Sequence, residues 1–129
     1  MKKITLLLVI IFTFLFSNTS WGDWDFVIKD PFIREFYYDK DRVRKSGKYL
    51  YVWVLTDFSK PNESSLSMTT YVQLDCSIFR YKMLKQTKYD GQMGEGEQRK
   101  DITSEGEWNY PKPNTSIESL VNKVCEEHQ

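Results

Sequence analysis

Histidine is nearly missing from this sequence: His128 is the only one, and cysteine occurs only as Cys76 and Cys125. A Ser–His–Asp or Cys–His set needs an imidazole held beside its nucleophile, and His128 lies in a tail expected to fray. One histidine and two cysteines also fail to make zinc spacing. No G-x-x-x-x-G-K-[ST] loop is present. The stretch "GQMGEGE" lacks the lysine and the helix pattern of a phosphate loop, and reads as a mobile hairpin loop. Glu95, Glu97 and Asp101 beside it lack EF-hand spacing and read as a solvated charge cluster. Net charge is absent too, with 18 Lys and Arg against 18 Asp and Glu, which argues against nucleic acid as a partner. The expectation is a protein that is not an enzyme and carries no cofactor or metal.

The N-terminus does carry a pattern. "MKKITLLLVIIFTFLFSNTSWG" has two lysines, an apolar run over residues 4–16, then small and polar residues, which is the order of a secretory signal peptide. The run falls short of the ~20 residues that span a bilayer as a helix. Ser20 and Gly22 fit small-x-small, so cleavage is expected after Gly22, with Ser20 the second choice and an uncleaved anchor the alternative. No cysteine follows the cleavage site to take a lipid. Loss of residues 1–22 removes Lys2 and Lys3 and no acid, so residues 23–129 form one domain of charge −2.

An exported chain lives in an oxidising compartment, where paired cysteines become disulfides. Cys76–Cys125 is the one intramolecular pairing; a catalytic thiol or an intermolecular bridge are its competitors. A loop of about 50 residues closed this way is stabilised by about 4 kcal/mol on chain entropy.

The rest of the chain has β periodicity until near its end. Strands are expected over residues 24–30, 33–39, 48–58, 66–76 and 77–89, with an exposed hairpin at 40–48 that holds a short strand around Val43. Loops are expected at 59–65 and at 90–101, where there is little to bury. In 48–58, Tyr49, Tyr51 and Trp53 share one face, and Leu50, Val52, Val54 and Phe58 the other. Thr70, Val72, Leu74 and Cys76 line an apolar face of the next strand, opposite Tyr71. The apolar parity then switches from even to odd by Phe79, through either a turn or a bulge. At the end, Thr115 and Glu118 stand at capping-box spacing, and Ile117, Leu120, Val121 and Val124 make an amphipathic stripe with Cys125 beside it. The fold class is therefore α+β: a mainly antiparallel sheet of about five to six strands, with a short C-terminal helix packed on one face and pinned by the disulfide. No internal repeat or interdomain linker is visible.

Two surfaces stand out for binding. A single helix covers one sheet face, so the Tyr49–Tyr51–Trp53 face either meets a partner, a second copy included, or is core covered by loops. Basic residues crowd Lys40–Lys48 and continue as Arg80, Lys82, Lys85 and Lys88; they form either an anion-binding patch or a solvated face.

The segments "FYYDKDRVRKSGKYLYVWVLTDF", "LDCSIFRYKMLKQTKYDGQMGEGE" and "EGEWNYPKPNTSIESLVNKVC", in this order over residues 36–125, resemble the surface-adhesin protein E family of Gram-negative bacteria. The resemblance implies an antiparallel sheet joined to a helix by a disulfide, with Cys76, Cys125, Trp53 and Trp108 as structural positions. It also implies an adhesin that engages host extracellular-matrix proteins and dimerises. Lacking a cysteine after the signal, this chain is expected to be periplasmic or secreted rather than lipid-anchored. The leading expectation is an adhesin-like binding protein that meets a protein partner through Tyr49, Tyr51, Trp53, Arg80 and Lys82. The alternative is a periplasmic protein for a small ligand or for envelope homeostasis, with no host contact.

Overall fold

Residues 49–58 are almost all aromatic, β-branched or aliphatic, a composition that suits a pleated strand packed on both faces. They open the longest strand of the molecule. The structure, a computed structural model, describes residues 24–31, 34–62, 65–102 and 106–129. Among these it has seven strands: β1 (Trp24–Lys29), β2 (Arg34–Asp39), β3 (Arg44–Ser46), β4 (Tyr49–Asn62), β5 (Ser65–Asp75), β6 (Arg80–Tyr89) and β7 (Gln98–Ile102). One helix, α1 (Ser116–His128), follows. The expected signal peptide and its cleavage site lie outside the described residues.

All pairings are antiparallel, in the order β1-β2-β4-β5-β6-β7. The length of β4 lets two short strands share one of its edges. β2 lies beside residues 54–58 and β3 beside residues 49–51. Between them the chain makes a 3-10 turn, Lys40–Arg42, held by the buried Asp39 carboxylate. That carboxylate accepts from the Asp41 N–H at 3.2 Å and from the Arg42 guanidinium. β6 is shared in the same way: β7 runs beside residues 86–89, while Tyr81 and Asn109 exchange two backbone hydrogen bonds of 2.9 Å.

The register gives the sheet two different faces. Leu50, Val52, Val54, Val72 and Leu74 point to one side, where Leu120, Val121 and Val124 of α1 join them in the core with Tyr38. The capping residues do as their spacing predicts, with one difference. Thr115 Oγ1 accepts from the Glu118 N–H at 3.3 Å, but the Glu118 carboxylate reaches the Asn114 N–H, at 3.2 Å. Cys76 and Cys125 are bonded, with Cα atoms 5.7 Å apart, so the end of β5 and the last turns of α1 are one covalent unit.

Four expectations are sharpened or corrected. The antiparallel sheet with its C-terminal helix and disulfide is as expected, and the short strand expected around Val43 is β3; the count reaches seven strands through β7, which was read as loop. β7 carries charge as outermost strands commonly do, which hides it from a propensity reading. The parity switch, expected as either a turn or a bulge, is a four-residue turn, Cys76–Phe79, with Asp75 opposite Arg80; a bulge exists farther on, where Leu84 is left over between Lys85 and Met83. His128 is not frayed: its ring meets Tyr38 edge-on at 5.7 Å, and Nε2 lies 3.2 Å from the Tyr38 hydroxyl, which also donates to Glu127. Burial and then that carboxylate raise the Tyr38 pKa.

The charged glycine loop is the fourth. Rather than hanging free, residues 90–97 fold back on the sheet face opposite the helix. Buried Ser67 donates to the Gly91 carbonyl at 2.6 Å and accepts from the Gly94 N–H at 2.9 Å, and Asp57 accepts from the Met93 N–H at 2.9 Å. Gly91 is needed for close approach, since a Cβ there would fall 2.6 Å from the Glu95 carbonyl oxygen.

Candidate functional site

On the face away from α1, alternate residues of β4 present Tyr49, Tyr51 and Trp53, and β5 adds Tyr71 directly opposite Trp53. The rings form a row. Trp53 and Tyr71 lie 4.7 Å apart between centroids, and Tyr71 and Tyr51 stack at 6.0 Å. Trp108 extends the row on the same face, from a segment that lies beyond β6. Its segment is clamped to β6 by the Tyr81–Asn109 bonds, and Gly106 N–H donates to the Met83 carbonyl at 2.8 Å. From there the indole reaches across to Tyr49, 5.5 Å away.

Cations sit on these rings. The Arg80 guanidinium is 4.2 Å and the Lys82 ammonium 4.8 Å from the Trp108 centroid. Arg44 lies over Tyr51 at 5.0 Å and Lys48 over Tyr49 at 5.3 Å. The five residues expected from the sequence, Tyr49, Tyr51, Trp53, Arg80 and Lys82, thus lie on one face and are linked through Tyr71 and Trp108. All seven are half-buried. The basic cluster read from the sequence is divided instead. Lys88 pairs with Met68 and so belongs to the helix side of the sheet, while Lys40 and Arg42 bind Asp25 and Asp39.

Under the row lies an acid. Asp75 is fully buried and accepts from the Ser77 hydroxyl at 2.5 Å, the Ser77 N–H at 3.2 Å and Arg80 Nε at 3.2 Å, with Lys48 at 3.9 Å. The Ser77 hydroxyl, followed by Arg80, holds its pKa below the ordinary carboxylate range against the opposing effect of burial. Asp57, opposite Glu35 on the same face, is shifted the other way: burial raises its pKa, and the Met93 N–H only partly offsets this. Tyr37, whose hydroxyl donates to Glu35, is pushed up to about 12, chiefly by burial.

This set of groups is suited to orient and hold a partner surface: the rings offer flat apolar area with polar tips, and the cations around them are fixed in position by Asp75 and the ring faces. Among the described residues no three His, Cys, Asp or Glu side chains are grouped to hold a metal ion, and no helix is long and apolar enough to cross a membrane. Sequence alternation identified the row on β4 and β5. The part played by Trp108 was not legible, because it depends on where a segment without regular structure crosses β6.

The fold is shared with known structures. Haemophilus influenzae protein E is similar with a TM-score of 0.65 and 13% identity, covering 84% of this chain and 88% of that one. Its second crystal form gives 0.66 and 12% identity, with 84% and 91% covered. The crystal structure of protein E from non-typeable Haemophilus influenzae gives 0.60 and 13%, with 84% and 79% covered. At such identity the likeness is one of fold. No curated protein matches the chain in sequence. The sequence pattern of surface-adhesin protein E, however, matches residues 24–126, nearly all of the described chain. The chain belongs to the surface-adhesin protein E family.

Proposed function

We propose that the protein is exported, with residues 1–22 as its signal peptide and 23–129 as a single domain, and that it acts as a non-catalytic, adhesin-like binding protein. Its contact surface is the aromatic row with its cations: Tyr49, Tyr51, Trp53, Arg80 and Lys82. The observation that carries this reading is that these groups lie half-exposed on the one sheet face that α1 leaves uncovered. Tyr, Trp and Arg are the residues most enriched where binding energy concentrates in protein interfaces. Family membership supports a protein partner, and host extracellular matrix is the class proposed. A second copy of the chain on the same face would make a homodimer and would compete with that partner. The site reads as periplasmic or secreted, since no cysteine follows the signal.

Replacing Tyr49, Tyr51 and Trp53 together by serine should abolish binding to immobilised matrix proteins and shift any dimer to monomer in sedimentation, while circular dichroism still reports the sheet. Undiminished matrix binding by that variant would remove this face. Protease added to intact producing cells separates the locations, because a periplasmic protein survives the treatment.

A further inference from the structure

The guanidinium of Arg80 is fixed from two sides before any partner arrives. Its Nε donates to the buried Asp75 carboxylate at 3.2 Å, and its central carbon lies 4.2 Å from the centre of the Trp108 ring. The two terminal nitrogens, Nη1 and Nη2, make no hydrogen bond or ion pair among the described residues. They are not shut away from water either, because among those residues Asp90 Oδ1 is the one buried side-chain polar atom without a hydrogen-bond partner. An arginine held by its inner nitrogen and one ring face, with its fork open, has already lost the freedom that binding would otherwise remove.

The charges in contact here are unequal. Lys48 shares Asp75 Oδ2 with Arg80, at 3.9 Å against 3.2 Å, so a single carboxylate faces two cations. Arg44, over Tyr51, has no carboxylate partner among the described residues. Asp75 itself is fully buried and out of a partner's reach. The opposite end of the row differs. Past Trp53 the same face of β4 continues to Leu55 and then to Asp57, which stands across from Glu35 of β2. A ligand charged along its whole length, such as a sulfated polysaccharide, would run onto these carboxylates; one with a negative group at one end and apolar groups along the rest would not. Between the two ends the rings of Tyr49, Tyr51 and Trp53 repeat every second residue, at ~7 Å, which is also the repeat of side chains on one face of an extended peptide.

Resting on the reading that this face meets a protein partner, we propose that Arg80 and Lys48 together receive one carboxylate of that partner. It belongs to a glutamate or aspartate at one end of an extended segment, whose apolar side chains then lie along Tyr49, Tyr51 and Trp53. The terminal nitrogens of Arg80 form the planar fork that a carboxylate matches with two parallel hydrogen bonds, and the exposed Lys48 ammonium adds charge beside it. Lysine at position 80 would keep the charge and lose the fork.

The test is an NMR titration of the purified protein with a peptide of about six residues, ~20 Å long when extended. It is capped at both ends and carries glutamate at one end, followed by leucine alternating with serine; the reversed sequence is titrated alongside, so that both chain directions are sampled. Saturable shifts of the Arg80 Nε–H and Trp108 indole N–H signals are expected with one of the two. Glutamine in place of the glutamate should weaken binding about tenfold, as loss of a charge-assisted pair does. Arg80→Lys should weaken it to about the same extent. Lys48→Gln, at an exposed position that leaves the fold intact, should weaken it about threefold. Absence of saturable binding, equal affinity for the glutamine peptide, indifference to both variants, or tighter binding of a heparin oligosaccharide at the same signals would overturn the proposal. Its failure is separable from that of the partner reading. Matrix proteins that bound both variants as they bind the parent, but not the Tyr49, Tyr51 and Trp53 serine variant, would leave the face standing and remove the carboxylate. If no matrix protein bound, the peptide titration would still decide whether the fork takes a carboxylate.

Discussion

The two faces of the sheet are closed by different physics. Toward α1 the contact is aliphatic on aliphatic: Leu50, Val52, Val54, Val72 and Leu74 against Leu120, Val121 and Val124, a contact without direction whose strength follows buried area. On the other face the apolar groups are rings and the rest is polar and directional. Ser67 and Asp57 hold the glycine loop by its N–H groups, and Asp75 holds Arg80, on which Trp108 rests. The first face needs something to keep a 13-residue helix in place, and the disulfide does so. The second is kept in place by single hydrogen bonds, each worth about 1 kcal/mol net, and so can remain partly open and available.

The contrast is open to attack from both sides. Cys76→Ser removes the tie on the helix face and should give the largest effect, a loss of about 4 kcal/mol seen as a fall in Tm of many degrees. Amides of α1 should then lose hydrogen-exchange protection first, ahead of β4 and β5. Unchanged stability on reduction would mean that packing alone holds the helix.

Gly91→Ala attacks the other face through its loop. The added methyl meets the Glu95 carbonyl, and displacement of the turn should cost about 2 kcal/mol. The Met93 and Gly94 amides, anchored on Asp57 and Ser67, should exchange much faster while the helix is unaffected. Uniform loss of protection across both faces would contradict their independence.

The smallest effect concerns acid. Because the folded Asp75 pKa lies below its unfolded value of about 3.9, the contribution of the ionised carboxylate is complete above roughly pH 4. It is lost as pH falls through the folded pKa. Asp75→Asn should therefore lower stability by about 1–2 kcal/mol at pH 7, and the gap to the parent should narrow in acid. A gap that stayed constant down to pH 2 would refute the shift.

What was legible in the sequence follows the same division. The helix face was readable because aliphatic periodicity is a direct record of burial: the i, i+3, i+4, i+7 stripe of α1 and the even positions of β4 were assigned correctly, as was the disulfide. Ring alternation on β4 likewise put Tyr49, Tyr51 and Trp53 on one side. The docking of the 90–97 loop was missed because Ser67 and Asp57 hold it by backbone groups across the sheet, which no short-range spacing encodes, and β7 was missed because its charge hides it from a propensity reading. His128 was misjudged for a similar reason. Its partner, Tyr38, is 90 residues away in sequence.

The bond between Cys76 and Cys125 has a mechanical consequence. Tension applied between residue 24 and residue 129 passes along the backbone as far as Cys76, crosses the sulfur bridge, and leaves through the last turn of α1. The enclosed segment, with β6, β7 and Trp108, lies off the line of force. A pull that sheared β1 from β2 would stretch the N-terminal strands while this loop kept its full contour length in reserve, so the molecule could extend only by the part of the chain outside the bridge.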